Sequence, residues 1–210
     1  MKSCPARIGD APGEGRIMRA IHILFAEHRS LAAVLHGMLY LVRDIRLLGT
    51  APTFDVLDAM VYYIDAFPER FHQPKEDAFL FRFLALRCAD AAPLIDRLRT
   101  QHREGAEKIR ALDQSLEGYK HGGTVEFSAF AEAVQAYAAF HWDHMRIEED
   151  KLIPLARKHL TARDWTEIDA AFTGHSDPLF GATVQDEYED LFRKIVDLAP
   201  RPIGLRPAQK

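Results

Sequence analysis

Cysteine is scarce. Cys4 and Cys88 are the only two in 210 residues, too few for a disulfide framework and too far apart for a zinc knuckle. Long apolar runs are missing as well: Ala78 to Leu86 is interrupted by Arg82, far short of the roughly 18 residues that a membrane span needs. Positive charge is not in excess, with 27 Lys+Arg against 31 Asp+Glu and a formal net charge of −4. That balance excludes a nucleic-acid binder held by a basic surface. No Gly-rich phosphate loop, no Gly-x-Ser-x-Gly and no Cys-x-x-Cys occurs, so nucleotide-dependent, serine-hydrolase and thioredoxin-type chemistries have no support. The first residues carry Lys2 but no following apolar stretch. They do not read as a secretion signal, and the cytoplasm is the expected address. Period-two alternation is absent throughout, which argues against strands.

What is present is helical periodicity. Residues 1–16, with Pro5, Gly9, Pro12, Gly13 and Gly15, read as a flexible lead-in. From Ile17, the residues Ile21, Leu24, His28, Leu31, Leu35, Leu39 and Val42 recur at three- and four-residue steps until Gly49, predicting a first helix over 17–48. Thr53 is placed to cap a second, whose face runs Leu57, Met60, Ile64, Phe67, Phe71, Phe79 and Phe83. Pro68 and Pro74 fall inside it and are expected to kink or split it. Pro93 suits the first turn of a third helix carrying Leu94, Leu98, His102, Ile109 and Leu112, ending at Gly122-Gly123. Thr124 is expected to cap the fourth, through Phe130, Val134, Tyr137, His141, His144, Glu148 and Leu152. The pattern predicts an all-α chain: an up-down-up-down four-helix bundle over 17–158, then a C-terminal extension and tail over 159–210. The extension holds two additional helices, at about 162–173 behind Thr161 and at about 184–198, which pack on the bundle or form a homodimer.

Each of the four long helices sets a histidine on its own apolar stripe: His28, His72, His102 and His144. Two of them add a glutamate four residues later, Glu76 after His72 and Glu148 after His144. Four residues is about 400° of helical rotation, a net offset of about 40°, so each pair shares one face one turn apart, the chelating spacing on a helix. Taken singly, each histidine also reads as a core residue hydrogen-bonded to a carbonyl. Taken together, four imidazoles and two carboxylates inside one bundle are costly to desolvate, and metal coordination removes that cost. Nitrogen and carboxylate donors without thiolate select iron, manganese or zinc. Six ligands exceed the need of one catalytic zinc and suit two metals, with the glutamates able to bridge. A ferritin-type site would instead need Glu-x-x-His on two helices and a lone Glu on the others.

Glu27-His28-Arg29, Phe71-His72-Gln73-Pro74-Lys75-Glu76-Asp77, Gln101-His102, and His144-Met145-Arg146-Ile147-Glu148-Glu149 with Leu152-Ile153-Pro154-Leu155 together resemble the hemerythrin-like family, the HHE cation-binding domain, in its bacterial form. The resemblance covers 17–158. It implies two iron ions with an oxo or hydroxo bridge, His28, His72, His102 and His144 as terminal ligands, and Glu76 and Glu148 as bridges. Oxygen-carrying members place a second histidine four residues after the third-helix ligand, where this sequence has Ala106. His141, one turn before His144, is an extra ligand or an outer hydrogen-bonding group. Glu149 and Glu107 are read as solvated, and His22, His121, His159 and His175 as surface residues. The resulting reading is a di-iron protein that binds dioxygen or a related small ligand for sensing, storage or iron and redox handling, more than a dedicated enzyme. The alternatives are a di-iron enzyme acting on peroxide, nitric oxide or dioxygen, and a metal-free helical interaction module.

Overall fold

The computed structural model describes residues 18–173 together with Arg193 and Ile195. The expected lead-in at 1–16 and, apart from Arg193 and Ile195, the last helix at about 184–198 lie outside the described residues, as does His175. Among the described residues the chain is all-helical, with no strand. The elements are α1 (Arg19–Leu48), α2 (Phe54–Ile64), α3 (Gln73–Lys75), α4 (Arg82–Arg87), α5 (Ala92–Gly122), α6 (Phe127–Ile147), α7 (Ile153–His159) and α8 (Ala162–Thr173). Wide-turned π-helical segments at Asp65–His72 and Glu76–Phe81 join α2, α3 and α4 into one continuous helical stretch. A third, Glu148–Leu152, joins α6 to α7. No described helix is long and apolar enough to cross a membrane.

The ends follow local chemistry only in part: Thr53 stands at the N-cap of α2 but makes no side-chain capping hydrogen bond. α1 stops at Gly49, whose φ of 64° suits a residue without Cβ and whose N–H returns to the Ile45 carbonyl. Thr161 and Asp164 form a reciprocal cap at the start of α8: the Asp164 N–H donates to Thr161 Oγ1, and the Thr161 N–H donates to the Asp164 carboxylate. Thr124 does not cap the fourth helix; it lies in a 3-10 turn, Gly123–Val125, and α6 begins after it with no side-chain cap. Pro68 and Pro74 fall where regular α-helix gives way, Pro68 inside the wider-turned segment Asp65–His72 and Pro74 in the three-residue α3 between two such segments, while the helical stretch as a whole continues. Widening the turn moves the carbonyl four residues back out of the way of the proline ring, and a helix can then continue past it.

Around the long axis α1 packs on α2, α2 on α5, α5 on α6 and α6 on α1. Two apolar cores lie along that axis. One gathers Leu31 and Leu35, Ile64 and Phe67, Ile109 and Leu112, Val134 and Ala138. The other gathers Ile21 and Leu24, Leu80 and Leu84, Ile95 and Leu98, Ile147 and Leu152. The chain passes from the second core to the first along α1, returns between Phe67 and Leu80, rises again along α5 and returns along α6. α8 is built into the second core through Trp165, Ile168 and Phe172, and Asp169 accepts from the Ala20 N–H at 2.8 Å. Along their helices Glu27, His28, His72, Glu76, His102 and His141 fall between residues of the two cores, whereas the buried Asp164 stands at the start of α8.

Candidate metal centre

The inner faces of the four long helical stretches bring His28, His72, Glu76, His102, His144 and Glu148 together, all buried. Their donor atoms fall into two groups that share both glutamates. His28 and His72 form one with Glu76 and Glu148; His102 and His144 form the other with the same two carboxylates, and within each group the atoms lie within 4.8 Å of one another. The two oxygens of each carboxylate divide between the groups. Glu76 Oε1 is 3.5 Å from His72 Nε2, and its Oε2 is 3.5 Å from His102 Nε2. Glu148 Oε2 is 3.2 Å from His28 Nε2, and its Oε1 is 3.3 Å from His144 Nε2 and 3.8 Å from His102 Nε2. Neighbouring donors on one ion are about 3 Å apart when the bonds are about 2.1 Å long. These separations suit donors to one ion, and the divided oxygens let each carboxylate face both groups.

Most of the inward atoms make no well-aimed hydrogen bond; they meet only one another, at the distances above. His28 Nε2, His102 Nε2, His144 Nε2 and all four oxygens of Glu76 and Glu148 are buried without a hydrogen bond. Seven such atoms gathered in the two groups fit bound cations, because burial without a partner is otherwise costly. The outward ring nitrogens are all held. His72 Nδ1 donates to Glu27 at 2.6 Å, His102 Nδ1 to Asp77 at 3.0 Å, His144 Nδ1 to Gln101 at 3.2 Å and His28 Nδ1 to Glu149 at 2.9 Å. Each anchor comes from the neighbouring helix: α1 holds the histidine after α2, the α2–α4 stretch holds the one on α5, α5 holds that on α6, and the segment after α6 holds that on α1. A fixed Nδ1–H directs the lone pair of Nε2 inward, which is how a ligating imidazole is oriented.

Burial and these contacts set the proton affinities. Burial pulls the His28 and His102 rings down, but the carboxylates close beside them outweigh it. Glu148 and Glu149 lift His28 to about 10, while Asp77, Glu148 and Glu76 lift His102 to about 11. His72 is raised against its burial by the Glu76 charge and the hydrogen bond to Glu27. His144, whose anchor is the neutral Gln101, is driven down to about 3, chiefly by burial. Burial and the Glu148 charge raise Glu76, whereas the histidines around Glu148 hold it well below the ordinary carboxylate range despite its burial.

His141 does not join either group of donors. It is buried one turn away, with Nε2 3.3 Å from Glu69 Oε1, and the Tyr137 hydroxyl donates to the same oxygen at 3.0 Å. Burial first, and then the Glu69 charge, holds the Tyr137 hydroxyl well above its usual range. Glu149, read as solvated, instead anchors His28. His36, His22 and His121 are exposed, with His36 Nδ1 on the Ala32 carbonyl. The anchors Glu27, Asp77, Gln101 and Glu149 escaped the sequence reading, as did Glu69. One signal marks the four anchors: each is a polar residue directly beside a ligand, in Glu27-His28, Glu76-Asp77, Gln101-His102 and Glu148-Glu149.

Neither the curated proteins nor the solved structures provide a match to this chain. The family model described as hemerythrin HHE cation binding domain matches residues 19–156, which contain all six converging side chains and all four of their anchors. The chain therefore belongs to the hemerythrin HHE cation-binding domain family.

Proposed function

We propose that the described helices form an up-down-up-down four-helix bundle that holds two iron ions and binds dioxygen or a related small ligand. The observation that carries this reading is the division of the Glu76 and Glu148 oxygens between two histidine pairs. His28 and His72 would serve one ion, His102 and His144 the other, and both carboxylates would bridge. The alternating passage of the chain between the two apolar cores supports the up-down course. Nitrogen and oxygen donors without sulfur suit iron, with manganese and zinc as competitors. Two irons held by these residues would supply the redox chemistry of reversible dioxygen binding. The protein's part is to fix the imidazoles through their anchors, to hold two negative carboxylates between the ions, and to keep water out with Phe81, which stacks on His102 at 5.3 Å, and Phe67 beside His72.

Ala106 favours a second reading. Oxygen carriers of the family supply a histidine there, so the His102 and His144 ion would have one protein donor fewer, a setting suited to turnover of peroxide, nitric oxide or dioxygen. The test of the main reading is elemental metal content of protein purified without a polyhistidine tag, with visible spectra before and after dithionite and after return to air. Near two irons per chain, with absorption that bleaches and returns, is expected; no uptake of iron under anaerobic loading would overturn it. Peroxide consumption by the loaded protein separates the second reading from the first.

A further inference from the structure

A second buried polar group lies one helical turn from the paired centre, on the side of the first core. Glu69 is three residues before His72, His141 three before His144, and Gly105 three after His102 on an oppositely directed helix. The three positions therefore occupy one layer. The Glu69 side chain is 3% exposed and that of His141 1%. Tyr137 Oη and His141 Nε2 approach Glu69 Oε1 at 3.0 and 3.3 Å, while Glu69 Oε2 and both ring nitrogens of His141 have no hydrogen bond. A structural ion pair closes its polar atoms on one another. Here a carboxylate oxygen and an imidazole nitrogen stand at donor-to-donor distance for one cation, yet are poorly aimed to bond each other.

Gly105 makes room for this arrangement. A Cβ there would lie 2.9 Å from Glu69 Oε1 and 3.0 Å from Oε2, closer than a side chain tolerates, so the carboxylate packs against the α5 backbone only because residue 105 has none. One turn further along, Asp65 and Ile109 line a surface groove of about 320 Å³ between α2 and α5, which also carries Asp58 and Asp113. Arg70 and Arg110 line it too, Arg70 paired with Asp65. Asp65 is close enough for its charge to act on the Tyr137 hydroxyl.

We propose that Glu69, Tyr137 and His141 form a cation-transfer site, through which a divalent metal ion passes from the groove between α2 and α5 to the paired centre. One carboxylate and one imidazole hold the ion, and the Tyr137 hydroxyl fixes the carboxylate while keeping its proton. Two strong donors capture a borderline divalent ion but hold it far less firmly than the six-ligand centre beyond. The ion is therefore passed on, with no change in its oxidation state. This inference rests on the paired-metal reading above, and the two fail differently.

The test is the rate at which metal-free protein takes up Co²⁺, followed by the visible absorption of bound cobalt, with final content by elemental analysis. Glu69→Gln and His141→Ala are expected to load about tenfold or more slowly and still reach the wild-type content, with Glu69→Asp restoring part of the rate. Circular dichroism establishes that each variant is folded. Should Glu69→Gln not fold, Gly105→Ala probes the same step by displacing the carboxylate, and slow loading is expected of it as well. Loading of the folded variants at the wild-type rate overturns the transfer site and leaves the paired centre standing. A reduced final content at an unchanged rate also overturns it, because these residues would then be resident ligands. Wild-type protein that takes up no cobalt overturns both readings.

Discussion

Removing metal from the paired centre is expected to cost the protein a large part of its stability. Seven buried donor atoms of the centre have no hydrogen-bond partner within the chain. A buried polar atom left unsatisfied costs about 1–3 kcal/mol, so without an ion the cluster burdens the fold by about 7–20 kcal/mol, comparable with the whole stability of a domain, about 5–15 kcal/mol. Protonation of His28 and His102, whose rings are lifted to about 10 and 11, relieves part of that burden at neutral pH by giving the carboxylates counter-charges. Each metal present at a thousandfold over its Kd adds about 4 kcal/mol. For two ions, and at about 2–4 °C per kcal/mol for a chain of this size, the melting temperature should rise by about 16–32 °C on loading. The assay is thermal unfolding by circular dichroism, comparing chelator-treated protein with the same sample after anaerobic Fe²⁺ addition. A difference below about 5 °C between fully loaded and metal-free protein would refute the reasoning, since the inward atoms would then be satisfied without an ion.

Three further outcomes are expected. Glu27→Ala removes the group that fixes His72 Nδ1 at 2.6 Å; metal affinity should fall by about 10–100-fold in a competition titration, while saturating metal still gives the wild-type stoichiometry. Asp164→Ala removes both the cap of α8 and the paired hydrogen bonds from Arg87 at 2.8 Å, and should cost about 2 kcal/mol in urea unfolding at pH 7. Its pH dependence has a definite sign: Arg87 and Thr161 hold the carboxyl below its ordinary value against its burial. The ionic part of that stabilisation is thus complete above the unfolded value of about 3.9 and disappears as pH falls through the lowered folded one, so wild type and variant should converge in acid. Leu35→Ala, in the first core at 1% exposure, should destabilise by about 2–5 kcal/mol in the same denaturation assay, without changing metal content.

Much of this was legible in the sequence because a titratable residue on an apolar stripe is a local anomaly. His28 between Leu24 and Leu31 needs only helical periodicity to be noticed, and the spacings His72–Glu76 and His144–Glu148 need only one turn. The anchors were hidden for the converse reason. Glu27 and Gln101 lie about 100° around the helix from their neighbouring ligands, where a charge or amide reads as solvated, and only the packing of adjacent helices turns them toward a histidine. Glu69 was obscured by Arg70 beside it and Asp65 one turn before it, and its close packing depends on a glycine 36 positions later in the chain, which no local pattern reveals. The prolines mark where α-helical geometry is interrupted, Pro68 inside the wider-turned segment Asp65–His72 and Pro74 in the short α3, but the rule for proline in a helix does not say that the chain continues through wider turns.

Those wider turns fall where the ligands are: His72 closes the segment Asp65–His72, while Glu76 and Glu148 open Glu76–Phe81 and Glu148–Leu152. The residues between each histidine and its glutamate are α-helical, Gln73–Lys75 in one pair and 145–147 in the other, so each pair keeps the ordinary offset of about 40° and the wider turns begin or end at its members. The anchors then lock this local geometry to the register of the whole bundle. Because each anchor sits beside one ligand and holds the histidine of the next helix, sliding any helix by one residue would displace its own ligand, withdraw its anchor from a neighbour and lose the anchor it receives. The closed ring of Glu27 on His72, Asp77 on His102, Gln101 on His144 and Glu149 on His28 thus couples helix packing to ligand placement. A layer that burdens the fold in the absence of metal is thereby also the layer that specifies how the four long helical stretches align.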